Sequence, residues 1–256
     1  MRKKKLSVSE HFNELKNRLL FIAACFFIFF FASYFFAEEI YGYSLRPLSL
    51  YFEKLGSNRN LIYTALTEVF FTYLALSFYC AFFAIIPICL FHIFKFIEPG
   101  LKKSEKRIIR NIFISAPILF YLGIILVYLF IFPAALEFFA SFESKNIANN
   151  LSVQLEAKVS EYFSLLISLF FAFGIAFELP VILVTLAKFD IITANMLKKY
   201  RRGAIIASFI IGAILTPPDV FSQVFMASTL IILYEISILA CNRVKNVRYK
   251  TNKRKS

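Results

Sequence analysis

The residues of this chain best suited to chemistry are acidic side chains set where water is scarce or where cations crowd. Glu178 stands in Phe173-Gly174-Ile175-Ala176-Phe177-Glu178-Leu179-Pro180, inside an otherwise apolar stretch. A carboxylate at membrane depth costs roughly 3 kcal/mol or more unless it is paired, hydrated or protonated. Pro180 frees a backbone carbonyl nearby and bends the helix, which adds local polarity. A structural hydrogen bond to a neighbouring helix would account for Glu178, and so would a proton site or a partner contact. Glu14, in Glu14-Leu15-Lys16-Asn17-Arg18-Leu19, and Glu105, in Leu101-Lys102-Lys103-Ser104-Glu105-Lys106-Arg107, are acids inside strongly basic segments. Singly, Glu14 reads as the partner of Arg18 four residues on, and Glu105 as a solvated loop charge. As a pair of carboxylates they suit a cationic ligand, with guanidinium the best geometric match. Glu235 lies about two turns from the basic carboxy-terminal end, within reach of Arg243 or Lys245. Asp219 follows Pro217-Pro218, with Ser222 and Gln223 one turn on, and is placed to cap a helix.

The other reactive residue types suggest no site. Cys25, Cys80, Cys89 and Cys241 all fall in apolar segments without a CxxC pair, so they are expected as small buried residues. His11 and His92 are far apart in sequence and isolated. No GxGxxG, GxxxxGK[ST], HExxH or GxSxG pattern occurs, so no metal, cofactor or enzymatic activity is expected.

The elements that must hold these residues are membrane helices. Of 256 residues 59% are hydrophobic, only 18% are charged and 34 are Phe, a composition outside the soluble range. Six apolar stretches are visible, at 19–37, 69–94, 111–133, 162–187, 203–215 and 221–241. The first four, of 19 to 26 residues, can each span a bilayer core. The fifth has 13, about 20 Å of helix, and is separated from the sixth by Thr216-Pro217-Pro218-Asp219. The two therefore form a short hairpin that needs local bilayer thinning to cross.

The fold class expected is all-α, a six-span polytopic membrane protein over residues 1–241 with a basic tail at 242–256. Of 29 Lys and Arg residues, 24 lie in 1–18, 95–110, 188–202 and 242–256, which places both termini on the cytoplasmic or equivalent side. The net charge of +13 is thus an orientation signal, and nucleic acid is not an expected partner. Before the first span, Ser7 and Glu10 make a capping box, and Val8, Phe12, Leu15 and Leu19 follow at helical spacing. An amphipathic helix at 7–18 running into the first span is expected, with no cleavable signal. The long connections 38–67 and 134–160 are expected to hold short helices forming a cap.

Taken together, the chain resembles TatC, the multispanning subunit of the twin-arginine protein translocase, from about residue 8 to 241. The resemblance rests on four stretches: His11 to Leu19; Leu66-Thr67-Glu68-Val69-Phe70-Phe71-Thr72-Tyr73; Phe96-Ile97-Glu98-Pro99-Gly100-Leu101 through Glu105-Lys106-Arg107; and Leu215 through Gln223. The Phe173-Gly174 and Phe177 to Pro180 pairs add to it. It implies that Glu14 and Glu105, with Phe96, Pro99, Leu101, Lys16 and Arg18, recognise the twin-arginine signal peptide of folded cargo. It further implies that Glu178, with Pro180, contacts a single-span TatA- or TatB-type subunit, and that Pro47, Asp219 and Gln223 serve on the outer side. Homo- and hetero-oligomers in the membrane are implied too, as is drive by the proton gradient. Two positions depart from the pattern: Phe12 stands for the usual Leu and Lys16 for the usual Arg, which loses the bidentate fork.

High Phe, Lys, Ile and Asn with no Trp suggest an AT-rich genome. The stretch 154–162 resembles alphaproteobacterial and mitochondrial members. A mitochondrial inner membrane is therefore expected, ahead of a bacterial or a plastid thylakoid one. A small proton-coupled transporter using Glu178 is the competing reading; Pro87 and Pro117 interrupt two spans, but the halves show no repeat. An intramembrane enzyme would need a nucleophile with a base, or paired ligands, and neither is present.

Overall fold

The computed structural model describes residues 8–54, 60–147, 151–153 and 155–253, and these are almost entirely helical. Five helical segments are long and apolar enough to cross a membrane: His11–Phe35, Glu68–Gly100, Glu105–Ala140, Val159–Lys188 and Val220–Arg243. The chain is therefore a multi-pass integral membrane protein. The fifth of the six expected spans is helix α9 (Arg201–Leu215), whose 15 residues reach about 22 Å. It stops where Thr216 turns extended ahead of Pro217 and Pro218, and it falls short of the other five.

The helices form two compact units, Met1–Ser44 with Thr67–Phe113, and Leu45–Leu66 with Ile114–Ser256. In the first, α1 (Val8–Phe35) packs along α3 (Glu68–Ile97). Aromatic pairs mark the contact: His11 on Phe96, Phe21 on His92, and Phe26 on Phe78 with centroids 5.4 Å apart. No residue in the most apolar stretch of α1 is buried by protein. A helix apolar on every side suits a hydrocarbon solvent. The expected amphipathic segment and first span are this one unbroken helix. Ser7 of the expected capping box lies outside the described residues.

In the second unit α10 (Val220–Lys253) is the hub, packed by α6 (Val159–Ala176), α7 (Leu179–Lys188), α8 (Ala194–Lys199) and α9. Phe132, Phe173, Leu166, Leu169, Met226 and Ile238 are fully buried. Gly212 lets α9 close on α10, because a Cβ there would sit 3.2 Å from the Gln223 carbonyl. Two buried hydroxyls are satisfied inside their own helices: Ser208 donates to the Ala204 carbonyl and Ser237 to that of Leu233, at 2.8 and 2.6 Å. At the end away from the prolines, Ala194, Leu197, Ile238 and Cys241 form a small core, and the Tyr234 hydroxyl donates to the Leu197 carbonyl.

Two of the three long connections differ from expectation. The 95–110 loop is mostly helix: α3 runs to Ile97, a 3-10 turn covers Glu98–Gly100 and α4 (Lys103–Leu126) begins at once. Charges ended the apolar pattern there, but they lie on helices that continue past it. The 38–67 connection does hold a helix, α2 (Ala37–Lys54). The 134–160 connection instead continues α4 through a π segment (Val127–Ile131) into α5 (Phe132–Ala140), then forms an antiparallel ladder of β1 (Ser144–Ile147) and β2 (Leu151–Val153). Pro133 comes just after the π segment, whose widened turn accommodates a residue without an amide donor inside the continuing helix. The Ile62 amide donates to the Ala157 carbonyl and the Val159 amide to that of Ile62, stitching the two connections together. The basic tail is likewise helical, as α10 extends to Lys253.

Candidate functional site

Helical periodicity puts Asn13, Glu14, Asn17, Arg18 and Phe21 on one face of α1. With His92 of α3 they line an open cavity of about 570 Å³. Arg18 donates from both Nε and Nη2 to the same Glu14 oxygen, Oε1, at 3.0 and 2.5 Å. The pair expected between these residues is therefore formed. The other oxygen, Oε2, faces His11 Nδ1 at 3.8 Å, beyond hydrogen-bond length. His92 Nδ1 is buried and has no hydrogen-bond partner among the described residues. Lys16, two residues from Glu14 and so about 200° round the helix, is exposed and does not line the cavity.

The turn after α3 holds the rest of the expected receptor set. Phe96 stacks on His11, centroids 4.1 Å apart and planes within 12°, which fastens the start of α1 to the end of α3. Pro99 sits in the 3-10 turn, and Leu101 is extended with its amide donating to the Glu98 carbonyl at 3.3 Å. Glu105 lies in the first turn of α4, where Oε2 accepts the Lys102 amide at 3.1 Å. That reach back to the amide just ahead of the helix is half of a capping box. The solvated-loop reading of Glu105 is thus corrected, although its side chain stays one-third open at 33% exposure.

Sequence reasoning passed over Glu98 and the histidines. Glu98 accepts from Lys95 Nζ at 3.1 Å through Oε2 and from Lys106 Nζ through Oε1, closing the turn with two cations on one carboxylate. The Lys95 pair was visible as an i,i+3 spacing, but the Lys106 pair arises only once the turn forms. His11 and His92, far apart in sequence, border the same Glu14 region because α1 and α3 pack side by side.

The remaining expected residues lie in the second unit. Glu178 falls between α6 and α7, where the helix breaks: its amide donates to Ile175 and its carbonyl accepts from Ile182, both at 3.0 Å. Pro180 stands in the first turn of α7, as the expected bend requires. Glu178 is partly buried, and among the described residues its carboxylate has neither a hydrogen bond nor an ion pair, so the structural hydrogen bond is not made. Asp219 Oδ1 accepts the Ser222 amide at 2.6 Å, the expected cap of α10, while Oδ2 and the Ser222 hydroxyl are buried without partners. Gln223 is partly buried on the first turn of the same helix. Pro47 is buried within α2 and lines a cavity of about 290 Å³ with Tyr51, Pro133 and Glu137. Glu235 pairs with Arg201 of α9 at 2.6 Å rather than with Arg243, because α9 packs beside α10, and the side chain of Lys245 lies outside the described residues. Among the described residues no three His, Cys, Asp or Glu side chains cluster in a way that could hold a metal.

Set against known proteins, residues 10–228 match the family described as Sec-independent protein translocase protein (TatC). The chain is 46% identical over 251 residues to the TatC protein of Rickettsia prowazekii, covering 95% of this chain and 98% of that one. With the Escherichia coli K12 protein the identity is 33% over 228 residues, covering 89% and 85%. A solved structure, described as the twin arginine translocase receptor TatC, superposes with a TM-score of 0.72 at 33% identity, covering 92% of this chain and 100% of that one. With the family match covering most of its length and relatives of this identity, the chain belongs to the TatC family of Sec-independent protein translocase proteins.

Proposed function

We propose that this chain is the receptor for twin-arginine signal peptides and a core subunit of a Sec-independent translocase, a transport component and not an enzyme. The observation that carries the reading is the pair of partly open carboxylates, Glu14 and Glu105, within segments otherwise rich in Lys and Arg. A carboxylate amid cations has one obvious use, to accept a further cation that its surroundings would repel. Guanidinium fits best, since its fork matches both carboxylate oxygens. Phe96, Pro99 and Leu101 supply apolar surface beside Glu105 for the rest of the peptide.

The same reading gives both termini to the cytoplasmic side by the bias of basic residues, with α9 and α10 as a short hairpin completing six spans. Glu178, without a side-chain partner among the described residues, is the contact for a polar group on a single-span TatA- or TatB-type subunit, in a hetero-oligomer driven by the proton gradient. Pro47, Asp219 and Gln223 serve the opposite side. The relatives named above are bacterial, which favours a bacterial inner membrane; an AT-rich bacterial genome accounts for the composition as well as a mitochondrial one does. Nothing favours the transporter reading over this one.

Photocrosslinking from position 105 to precursors bearing Arg-Arg or Lys-Lys tests the proposal. Crosslinking that requires Arg-Arg, and that is lost for a Glu105→Ala variant still inserted in the membrane, is the expected result. Equal capture of both precursors would reduce Glu105 to a helix cap.

A further inference from the structure

We propose that Arg18 is a built-in competitor for the Glu14 carboxylate, an internal guanidinium that the incoming one must displace, and that this competition makes Glu14 reject lysine. The inference rests on the reading of Glu14 as part of the signal-peptide site.

The geometry leaves the site half-filled. Both Arg18 donors converge on Oε1, and Oε2 has no hydrogen-bond partner among the described residues. An arriving guanidinium can dock on Oε2 and then take both oxygens side by side, the arrangement in which carboxylate and guanidinium match best. Arg18 gives way readily, because pairs four residues apart on a helix surface are weak and both of these side chains are partly open, at 23% and 29% exposure. An ammonium group is a point charge without the fork. It gains nothing by taking both oxygens, and while Arg18 stays it must sit beside a cation. Glu14 alone would bind either charge; Glu14 guarded by Arg18 prefers the one that can evict the guard.

The cavity also offers Arg18 somewhere to go. His92 lines the same space, and its Nδ1, buried and without a partner among the described residues, is an acceptor when the ring carries its proton on Nε2. Asn13 and Asn17, whose side-chain amides each include an acceptor oxygen, line the cavity too. A displaced Arg18 exchanges one acceptor for others on residues lining the same cavity.

The test uses the full chain in membranes and compares capture of Arg-Arg and Lys-Lys precursors by wild type, Arg18→Gln, Arg18→Lys, His92→Phe and Glu14→Gln. With the guard removed, Arg18→Gln should bind both precursors more tightly, and the Arg-Arg to Lys-Lys ratio should fall on the order of tenfold, the weight of one charged hydrogen bond. Arg18→Lys, which keeps the charge and the helix, should give an intermediate ratio. His92→Phe should weaken Arg-Arg capture only while Arg18 is present. If Arg18→Gln inserts normally but leaves the ratio unchanged or abolishes Arg-Arg capture, the competitor is refuted. If Glu14→Gln leaves Arg-Arg capture intact, the receptor reading of Glu14 fails first, a separate outcome.

Discussion

The ring of Phe120 lies where a side chain at position 174 would begin: a Cβ on Gly174 would fall 2.5 Å from Phe120 Cε2. The contact is reciprocal, since a Cβ on Gly123 would come 2.7 Å from the Phe173 carbonyl oxygen and 3.1 Å from the Phe177 ring. Two glycines thus let α4 and α6 meet with aromatic rings between them, just ahead of the break at Glu178.

Gly174→Ala and Gly123→Ala should therefore each destabilise the protein in detergent by about 1–3 kcal/mol, the usual cost of overpacking. Gly203→Ala in α9 meets nothing within 4 Å and should be neutral or slightly stabilising. Thermal unfolding followed by size-exclusion chromatography separates the two classes. Equal midpoints for all three variants would refute the close approach.

Glu98 holds Lys95 and Lys106 on one carboxylate, and Lys106 is the residue that follows Glu105. Glu98→Gln should release two cations into the receptor surface and weaken capture of Arg-Arg precursors by repulsion. Because repulsion between exposed charges is screened, the deficit should shrink as salt rises from low to physiological concentration. A deficit independent of salt would mean that Glu98 acts only by shaping the turn.

Glu178→Leu should reduce recovery of a single-span partner in a pull-down more than it reduces precursor binding, since the carboxylate lies at the α6–α7 break and not among the basic segments. Glu178→Gln should be milder, as an amide still hydrogen-bonds. Should Gln prove as damaging as Leu, the charge itself is required.

Asp219→Ala should cost about 1 kcal/mol through loss of the α10 cap, and Asp219→Ser should recover most of it. If Ser restores the unfolding midpoint but not transport, the buried second oxygen has a role beyond capping.

The Arg201–Glu235 pair is about half exposed on both sides, at 50% and 44%, so Glu235→Gln should shift stability by less than about 1 kcal/mol and leave insertion unchanged. A large loss of folded protein on the same size-exclusion assay would contradict that.

Most of the helical architecture was legible in the chain because the bilayer sets a length and a polarity that apolar runs must meet. The runs 69–94, 162–187 and 221–241 fall within α3, α6 with α7, and α10. Glu14, Glu105 and Glu178 stood out because a carboxylate in lipid or among cations demands a reason, and Asp219 because it follows two prolines at a helix start. Local spacing settled the Arg18–Glu14 pair and the Asp219 cap, both contacts within four residues. Tertiary packing alone decided the rest. His92 reached the Glu14 cavity because α3 lies along α1, and Glu235 found Arg201 because α9 lies along α10. Lys106 reached Glu98 only across a turn whose helices extend past the apolar boundary. Periodicity reports one helix at a time, whereas these partners are chosen by which faces two helices bury together.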